Sequence, residues 1–350
     1  MKQLDWNALE PYRPLPGQDS RYVRRPWGGG DRLAMLVRHG LTPIAVTGPV
    51  GSGKTTELHQ ALQLLRDEVI AIKIPVELLV DLDALQPNLL VYLVAQFVLD
   101  KVLEDDPGLV PSRALVADIR ASDPRLPRGG GLHHNPPELA ELVIAEVKRL
   151  LGRDRLALFL DGLDRVSAEG ARAAVRVVVV PPALANGPEA HEVLAHMRVF
   201  WVPTVPVGSD EGRRYLGKVA AVRLGLKRLV GGMRDLCDKA AEESGGVTRL
   251  FLHLVQDAAF YAIAEGRARP GLATLDRAVR DHTDALRRVL VAGDLEALRD
   301  ADGTDGLDVP VECKVRLLAH NLLLEYEDAE GTVVRPHPLV RRLIARRATP

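Results

Sequence analysis

The sequence predicts an α/β fold in which a parallel β-sheet flanked by helices is followed by a helical lid and a winged-helix domain. Three observations predict it. An apolar segment at 44–48 runs into a glycine-rich loop and a helix, and a second apolar segment follows at once. An unbroken apolar run, Leu156 to Leu160, ends in Asp161. From about residue 310 the order is helix, strand, turn, strand and helix, which is typical of a winged helix.

Composition narrows the class of protein. A chain of 350 residues with 47% hydrophobic and 27% charged residues suggests two or three globular domains. With a net charge of −1, the overall charge gives no reason to expect binding to nucleic acid or to acidic membranes. Cys237 and Cys313 stand far apart, which fits a reducing compartment. No apolar run resembles a signal peptide or a membrane span, so a cytoplasmic location without membrane contact is predicted.

A βαβ unit sets the order of the core. Residues 44–48 form a strand, Lys54 to Arg66 a helix and Val69 to Glu77 a second strand, and this spacing predicts parallel pairing. Leu156 to Leu160 suits a central strand that is buried on both faces. Periodicity and turn residues predict the remaining elements: helices at 89–103 and 138–152, a surface loop with one helical turn at 105–137, and strands at 198–207 and 220–226.

The chain divides into four predicted parts. Residues 1–30 are rich in Pro, Gly and Arg and form an irregular N-terminal segment. Residues 31–230 hold the core with the sheet. Residues 231–290 form the helical lid, and residues 291–350 form the winged-helix domain.

Residues 48–55 read GPVGSGKT, which is the phosphate-loop pattern: a glycine, four residues, a second glycine, then Lys and Thr. The glycines turn backbone N–H groups inward as a cradle for phosphate oxygens, and the next helix adds its positive dipole end. Lys54 supplies charge for the β- and γ-phosphates, and Thr55 offers a hydroxyl to Mg²⁺. The chain is therefore predicted to be a P-loop NTPase that binds ATP or ADP. The predicted nucleotide-binding residues of the loop are Gly48, Gly51, Ser52, Gly53, Lys54, Thr55 and Thr56.

Magnesium also needs a carboxylate, normally at the tip of a neighbouring strand. Asp161 is placed to bind Mg²⁺ together with Thr55; the alternative is a strand-ending Asp that caps the next helix. Asp164 would polarise the attacking water, or it would pair with Arg165. Lys54, Asp161 and Asp164 are thus the predicted catalytic residues of an ATPase that converts ATP and water to ADP and phosphate.

The phosphate loop and residues 158–164, which read LFLDGLD, resemble the STAND ATPases. This branch lies near the AAA+ proteins and contains the NB-ARC and NACHT ATPases. The resemblance implies a slowly hydrolysing switch that regulates a partner effector or sensor protein in bacterial defence or signalling. It also implies that homo-oligomers form on activation. Arg165 departs from the family pattern, in which another acidic residue usually occupies this position. We therefore expect a lower rate of ATP hydrolysis.

Three features extend the resemblance along the chain. Gly28 to Leu33 corresponds to a Gly-Arg-Glu-like segment near the adenine, or it is a flexible linker. Arg249 follows a glycine turn and corresponds to the lid's sensor arginine at the γ-phosphate, or it is a solvated arginine. His337 resembles the histidine of the Met-His-Asp motif at the β-phosphate, although prolines flank it here; the alternative is a structural histidine.

Other polar residues have ordinary alternatives. Thr204, predicted on the strand at 198–207, is either a sensor beside the γ-phosphate or a buried threonine bonded to backbone. Arg213 and Arg214 lie in a predicted loop, where oligomeric AAA+ ATPases carry an arginine finger that acts in trans. A surface arginine pair is the default interpretation.

Three rival functions remain open at this stage. One is a DNA-binding AAA+ ATPase of the origin-recognition or transposition-regulator type, whose winged helix reads DNA. A basic face at the end of the chain favours it and the neutral net charge opposes it. The second is a small-molecule P-loop kinase with the arginine-rich segment 105–137 as its lid. The third is a nucleotide-binding scaffold without turnover. The basic residues of the winged-helix segment are Arg335, Arg341, Arg342, Arg346 and Arg347.

Overall fold

A computed structural model describes most of the chain. The described residues are 4–40, 43–76, 79, 87–123, 135–161, 177–180, 185–187, 190, 194, 195, 197–304, 306, 308–327 and 331–347. Within these ranges, none of the helices is both long and apolar enough to cross a lipid bilayer.

A parallel β-sheet forms the centre of the core. Its five described strands are β1 (Ile44–Thr47), β2 (Ile70–Pro75), β3 (Leu156–Asp161), β4 (Val177–Val179) and β5 (Arg198–Trp201). They lie in the order β2-β3-β4-β1-β5, and neighbouring strands run parallel. The predicted parallel sheet is confirmed. Strand β4 lies between β1 and β3, so one strand separates the strand that enters the phosphate loop from the strand that ends in Asp161.

Helices cover both faces of the sheet. They are α1 (Gly30–Arg38), α2 (Lys54–Leu65), α3 (Pro87–Asp105), α4 (Arg113–Ala121) and α5 (Pro136–Leu151). Side chains of β3 alternate between the two faces because successive strand residues point in opposite directions. Leu158 joins the apolar cluster under α3 and α5, whereas Phe159 joins the cluster under α1 and α2. All six residues of β3 are buried, as expected for a central parallel strand.

Local signals fix the ends of α5. The Asn135 side chain accepts a hydrogen bond from the Glu138 N–H, and Glu138 reaches back to the Asn135 N–H, which completes a capping box. Gly152 ends the helix in the left-handed conformation, with φ of 61°.

A helical lid and a winged helix follow the core, as predicted, but the lid begins with a helix at 210–223, inside the predicted core range of 31–230. The lid helices are α6 (Asp210–Arg223), α7 (Gly232–Glu243), α8 (Thr248–Ala264) and α9 (Leu272–Val289). The winged helix consists of α10 (Asp294–Thr304), α11 (Val311–Ala319), β6 (Leu323–Glu327), β7 (Thr332–Pro336) and α12 (Pro338–Arg347). Strands β6 and β7 pair antiparallel. Each part has an apolar cluster of its own.

The predicted strand at 220–226 is wrong, because α6 continues to Arg223. Ser209 caps this helix by accepting a hydrogen bond from the Gly212 N–H at 3.1 Å. Leu216, Val219 and Ala220 are buried in the lid cluster, at the i, i+3 and i+4 spacing of a helix face. The aliphatic run at 220–226 fits a strand when it is considered alone, but the apolar residues before it recur with a helical period.

Two further boundaries differ from prediction. The segment 105–137 was expected to be a loop with one helical turn, but α4 occupies 113–121 and buries Leu115 and Ile119, which lie four residues apart. The strand predicted at 198–207 ends at Trp201. Residues 202–206 continue as irregular backbone, so the sheet edge is shorter than the apolar run suggested.

Candidate nucleotide-binding site

The phosphate loop joins β1 to α2 through glycines in conformations that other residues avoid. Gly48, Gly51 and Gly53 have φ of 141°, 81° and 99°. A Cβ atom on Gly48 would lie 2.2 Å from the carbonyl oxygen of Val202, so the loop also requires glycine for close packing. No side chain caps the first turn of α2, which leaves its N–H groups directed at the loop. The backbone therefore has the form of an anion cradle.

Lys54 is buried at the first position of α2 and folds back over the loop. Its ammonium donates hydrogen bonds to the carbonyl oxygens of Gly48 at 2.9 Å and Pro49 at 3.1 Å. The charge is thus held directly at the loop. Ser52 Oγ is buried beside it and has no hydrogen-bond partner among the described residues.

Thr55 and Asp161 meet at the carboxyl end of the sheet. The Thr55 hydroxyl donates to Asp161 Oδ1 at 3.3 Å, and the other Asp161 oxygen lies 2.9 Å from Lys73 Nζ. A hydroxyl and a carboxylate at this distance fit the oxygen ligands that Mg²⁺ prefers. The sequence-predicted pair is therefore brought together, 106 residues apart in the chain. Asp164 lies outside the described residues.

Lys73 was not identified from the sequence. It stands on β2, and its ammonium also contacts His59 Nε2 at 3.0 Å. His59 Nδ1 lies 2.8 Å from the carbonyl oxygen of Leu15, which can only accept, so Nε2 is the acceptor for Lys73. Burial lowers the pKa of His59. The only sequence signal for Lys73 was a charged residue inside an apolar strand.

The N-terminal segment packs against the phosphate-loop helix. Arg25 and Glu57 form a buried ion pair at 3.1 Å, and the Arg25 guanidinium also donates to the backbone oxygens of Ser52 and Pro203. Tyr22 donates to the same Glu57 carboxylate at 2.9 Å. A lone buried charge is costly, whereas here each partner is hydrogen-bonded. Through Arg25, this network connects the phosphate loop to α2 and to the N-terminal segment. Nothing in the sequence pattern indicated it.

The glycine segment at 28–33 is ordered and closely packed. Gly29 caps α1, and a Cβ atom on Gly29 would lie 2.3 Å from Glu57 Oε2. A Cβ on Gly30 would lie 2.6 Å from the carbonyl oxygen of Glu57. These contacts exclude the flexible-linker interpretation of the segment.

The lid reaches the phosphate loop through Arg249. Its backbone N–H donates to the Gly51 oxygen at 3.1 Å, and its guanidinium carbon lies 5.5 Å from the centre of the Tyr12 ring. The pocket above the loop has a volume of about 120 Å³. Its charged and hydroxyl-bearing lining residues are Tyr12, Arg13, Lys54, Thr55, Thr56, Asp161, Arg223, Thr248 and Arg249.

Arg223 is a second lid arginine that sequence reasoning missed. It is the last residue of α6, whose end was predicted as a strand. One guanidinium nitrogen donates to the backbone carbonyl oxygen of Glu10 at 3.0 Å. Its Nε is buried without a partner among the described residues, and burial lowers the pKa of this arginine. A cation with an unused donor that lines the pocket is suited to an anionic ligand.

His337 lies in an adjoining cavity and does not line the pocket above the loop. The ring is buried, Nδ1 accepts from the Leu339 N–H at 3.1 Å, and burial lowers the pKa to about 3. Nε2 is buried without a partner in the described part of the chain. Beside it, the Asn321 amide donates to the Val50 oxygen at 3.0 Å, which links the winged helix to the phosphate loop.

Three more predicted residues have defined positions. Thr204 is buried, but its hydroxyl has no hydrogen-bond partner among the described residues. Arg213 and Arg214 lie in α6 and not in a loop. Arg213 donates to the Val207 oxygen at 2.8 Å and pairs with Asp210, which fits a structural role within its own helix.

Glu325 is a buried carboxyl on β6 and is 3% exposed. Burial raises its pKa to about 7, while the charge of Lys314 and a hydrogen bond with Asn186 act in the opposite direction. One carboxylate oxygen has no partner among the described residues. The winged helix therefore carries a carboxyl group whose ionisation opposes folding.

We expect the change Glu325→Gln to stabilise the protein at about pH 8 and to have little effect near pH 4.5. The folded-state pKa lies above the ordinary value of 4.5, so the folded state binds more protons between these values and stability falls as pH rises through that window. Thermal unfolding followed by circular dichroism at both pH values measures the effect. An equal shift at the two pH values would contradict it.

Comparisons with known proteins concern the fold. No protein-family model matches the sequence, and no curated protein matches it. Among solved structures, a Walker-type ATPase of Pyrococcus abyssi is similar over 96% of this chain and 99% of its own, with 13% identity and a TM-score of 0.57. The ORC2 protein of Aeropyrum pernix, in its ADPNP–ADP complexes, is similar over 99% of both chains, with 13% identity and a TM-score of 0.51. Cdc6p from Pyrobaculum aerophilum is similar over 98% of this chain and 97% of its own, with 14% identity and a TM-score of 0.50.

The chain has an AAA+ ATPase fold of the Orc/Cdc6 type. The similarity spans the core, the lid and the winged helix together. It supports the origin-recognition alternative better than the STAND interpretation. Because identity is low, roles for individual residues must come from their own geometry.

Proposed function

We propose that this protein is an ATP-binding AAA+ ATPase of the origin-recognition type. The observation that carries the proposal is the convergence of Lys54, the Thr55–Asp161 pair and Arg249 on one glycine cradle. ATP or ADP would be bound by the loop backbone, with Lys54 at the β- and γ-phosphates. Calorimetric titration with ATP and with ADP, each with Mg²⁺, tests the proposal. Absence of binding heat for both nucleotides, together with no protection in a nucleotide-dependent unfolding assay, would refute it.

Magnesium would be held by Thr55 and Asp161. The ion would neutralise charge on the β- and γ-phosphates, which is its general role in such enzymes. Lys73 already occupies one oxygen of Asp161, so its ammonium must share the carboxylate with the ion or move away. This competition, together with Arg165 in place of an acidic residue, favours slow hydrolysis. Asp164 remains our proposed group for orienting the attacking water, and a steady-state phosphate-release assay separates an ATPase from a non-hydrolysing scaffold.

The lid would respond to the nucleotide. The pocket volume of about 120 Å³ is below the roughly 300–1,000 Å³ of ordinary ligand pockets, so a bound nucleotide would displace Tyr12 and Arg249. To change the ratio of two lid conformations from 1:99 to 99:1, ATP must bind one conformation about 5.5 kcal/mol more tightly than the other. Charge-assisted hydrogen bonds contribute roughly 1.5–3 kcal/mol each. Two or three contacts made only with the γ-phosphate therefore suffice for a switch.

We expect Arg223→Ala and Arg249→Ala each to weaken ATP binding by roughly tenfold, which corresponds to about 1.4 kcal/mol. ADP binding should change less, because ADP lacks the terminal phosphate. The measurement is calorimetry of both nucleotides with each variant. Arg234→Ala is the matched control, since Arg234 is an exposed lid arginine paired with Asp238. If both pocket variants keep the wild-type ratio of ATP to ADP affinity, the lid does not sense the γ-phosphate.

The second candidate function is a switch that acts on a partner protein, with the winged helix as the docking module. The arginines that begin the basic face of α12 are engaged within the chain: Arg341 pairs with Asp302 and Arg342 pairs with Glu243. Strand β6 adds the exposed Glu327 to the same module. These charges reduce its attraction for DNA phosphates.

If this second candidate is correct, duplex DNA should bind weakly and with a shallow salt dependence, whereas the origin-recognition proposal requires tight, salt-sensitive binding. If at most two phosphates are neutralised, the slope of log K against log salt is no steeper than about −2. Fluorescence anisotropy of a labelled duplex across salt concentrations measures this slope with ATP and with ADP. A slope of about −4 or steeper that decreases in the Arg341→Ala variant would instead favour the DNA-binding form of the origin-recognition proposal.

A further inference from the structure

Three potential metal ligands converge between two lid helices. His253 and Asp257 lie four residues apart on α8, and this spacing places them on one helix face. His282 projects from α9, which packs against α8. One ligand atom from each residue lies within 4.8 Å of the others. Two imidazoles and a carboxylate form a set of donors suited to Zn²⁺ and related transition metals.

The three side chains already interact and remain accessible to solvent. His282 Nε2 lies 2.9 Å from Asp257 Oδ2, and the two imidazole ring centres are 5.6 Å apart. The His282 and Asp257 side chains are 25% and 35% exposed. Arg249 is a nearby positive charge and Glu10 a nearby negative one.

We propose that His253, Asp257 and His282 bind a divalent transition-metal ion of the Zn²⁺ class. Tetrahedral bonds of about 2.0–2.1 Å would bring the ligand atoms to roughly 3.3–3.5 Å from one another. The present spread of up to 4.8 Å must therefore narrow by roughly 1.3–1.5 Å before all three side chains can bind one ion. Three protein ligands leave one position open for water or another ligand.

The site lies on the rim of the cavity next to the phosphate-loop pocket. His253 and His282 line this cavity, which has a volume of about 380 Å³ and lies between the lid and the winged helix. The edge of the Tyr12 ring packs on the His253 ring with centres 4.8 Å apart, and Arg249 lies over Tyr12. Tyr12 and Arg249 line both cavities. A metal on His253 would therefore restrain the side chains that separate them, and metal and nucleotide would alter each other's affinity by the same factor.

Metal titration of the untagged, chelator-treated full chain tests the site without nucleotide. We expect one Zn²⁺ per chain by calorimetry, and with Co²⁺ a visible absorption spectrum typical of four or five ligands. His253→Ala and His282→Ala should each weaken binding by at least roughly 10–100-fold. His39→Ala is the control, because His39 is an exposed histidine at the end of α1. Absence of stoichiometric binding, or equal affinity in the double variant His253→Ala/His282→Ala, would overturn the proposal.

The hydrogen bond between His282 and Asp257 also joins α8 to α9, so a variant could lose structure as well as metal. The change Asp257→Asn keeps a hydrogen-bonding side chain and removes the carboxylate. We expect it to retain the wild-type circular dichroism spectrum and to bind Co²⁺ more weakly; unchanged Co²⁺ binding would count against the site. Metal binding should persist in Lys54→Ala, so failure of the metal site and failure of nucleotide binding give different results.

Discussion

Replacing Lys54 by alanine is expected to raise the dissociation constant for ATP by roughly 10²–10⁴-fold. The ammonium lies at the phosphate loop, where it donates to the oxygens of Gly48 and Pro49. Exchanging these carbonyl partners for phosphate oxygens would give two charge-assisted hydrogen bonds, worth roughly 1.5–3 kcal/mol each. The sum of roughly 3–6 kcal/mol corresponds to the stated factor. Calorimetry with ATP and Mg²⁺ measures it.

Two comparisons make the Lys54 result specific. Lys101→Ala removes an exposed lysine that pairs with Glu104 and Asp105 on α3, and we expect it to leave ATP affinity unchanged. Lys101→Ala should keep the wild-type unfolding curve, whereas Lys54 is buried, so circular dichroism must first show that the Lys54→Ala variant is folded. Wild-type ATP affinity in a folded Lys54→Ala variant would contradict the proposed phosphate site.

Replacing Gly246 by alanine is expected to reduce the free energy of unfolding by roughly 2–5 kcal/mol. Gly246 has φ of 85°, which costs a residue with a side chain roughly 1–2 kcal/mol. An added Cβ would lie 1.9 Å from the carbonyl oxygen of Val205, a backbone atom, and relieving such overpacking costs roughly 1–3 kcal/mol more. The loss is large against the roughly 5–15 kcal/mol by which domains are stable. Urea unfolding followed by circular dichroism measures it.

Gly266 provides the matched control for this steric argument. Its φ of 68° is also left-handed, but a Cβ there would meet no atom of the described residues within 4 Å. Gly266→Ala should therefore cost only the backbone contribution of roughly 1–2 kcal/mol. If the two variants lose the same free energy, the contact with Val205 is not what requires glycine at 246.

The turn at Gly245 and Gly246, which joins two lid helices, contacts both the core and the winged helix. The neighbouring Gly245 has no space for a Cβ because Leu324 and Pro338 of the winged helix lie within 3 Å of that point. The Tyr326 hydroxyl donates to the Gly245 oxygen at 2.8 Å. The turn thus contacts the core on one side and the winged helix on the other. Glycines in the sequence marked the turn, but the contacts that demand them come from residues about 40 to 90 positions away.

Long elements with a strong local pattern could be predicted from the sequence. The apolar run of β3, the helical periodicity of α5 and the glycine loop before Lys54 are each patterns among near neighbours in the chain. The predicted helix–strand–strand–helix order of the winged helix depends on the same short-range periodicity. Predictions failed where a short apolar run fitted two periods, as at Ala220 to Leu226, because only packing against the lid selects the helix.

The candidate site divides in the same way. The phosphate loop could be predicted from the chain alone, since the glycines, Lys54 and Thr55 form one local turn, and Asp161 was indicated as the carboxylate at the tip of a buried strand. Four features could be found only in the folded protein: Lys73 pairs with Asp161, Arg25 donates to the loop backbone, Arg223 and Arg249 line the pocket, and His337 lies in the adjoining cavity. Backbone conformation and periodicity depend on residues a few positions apart, whereas ion pairs and cavities depend on where separate elements meet.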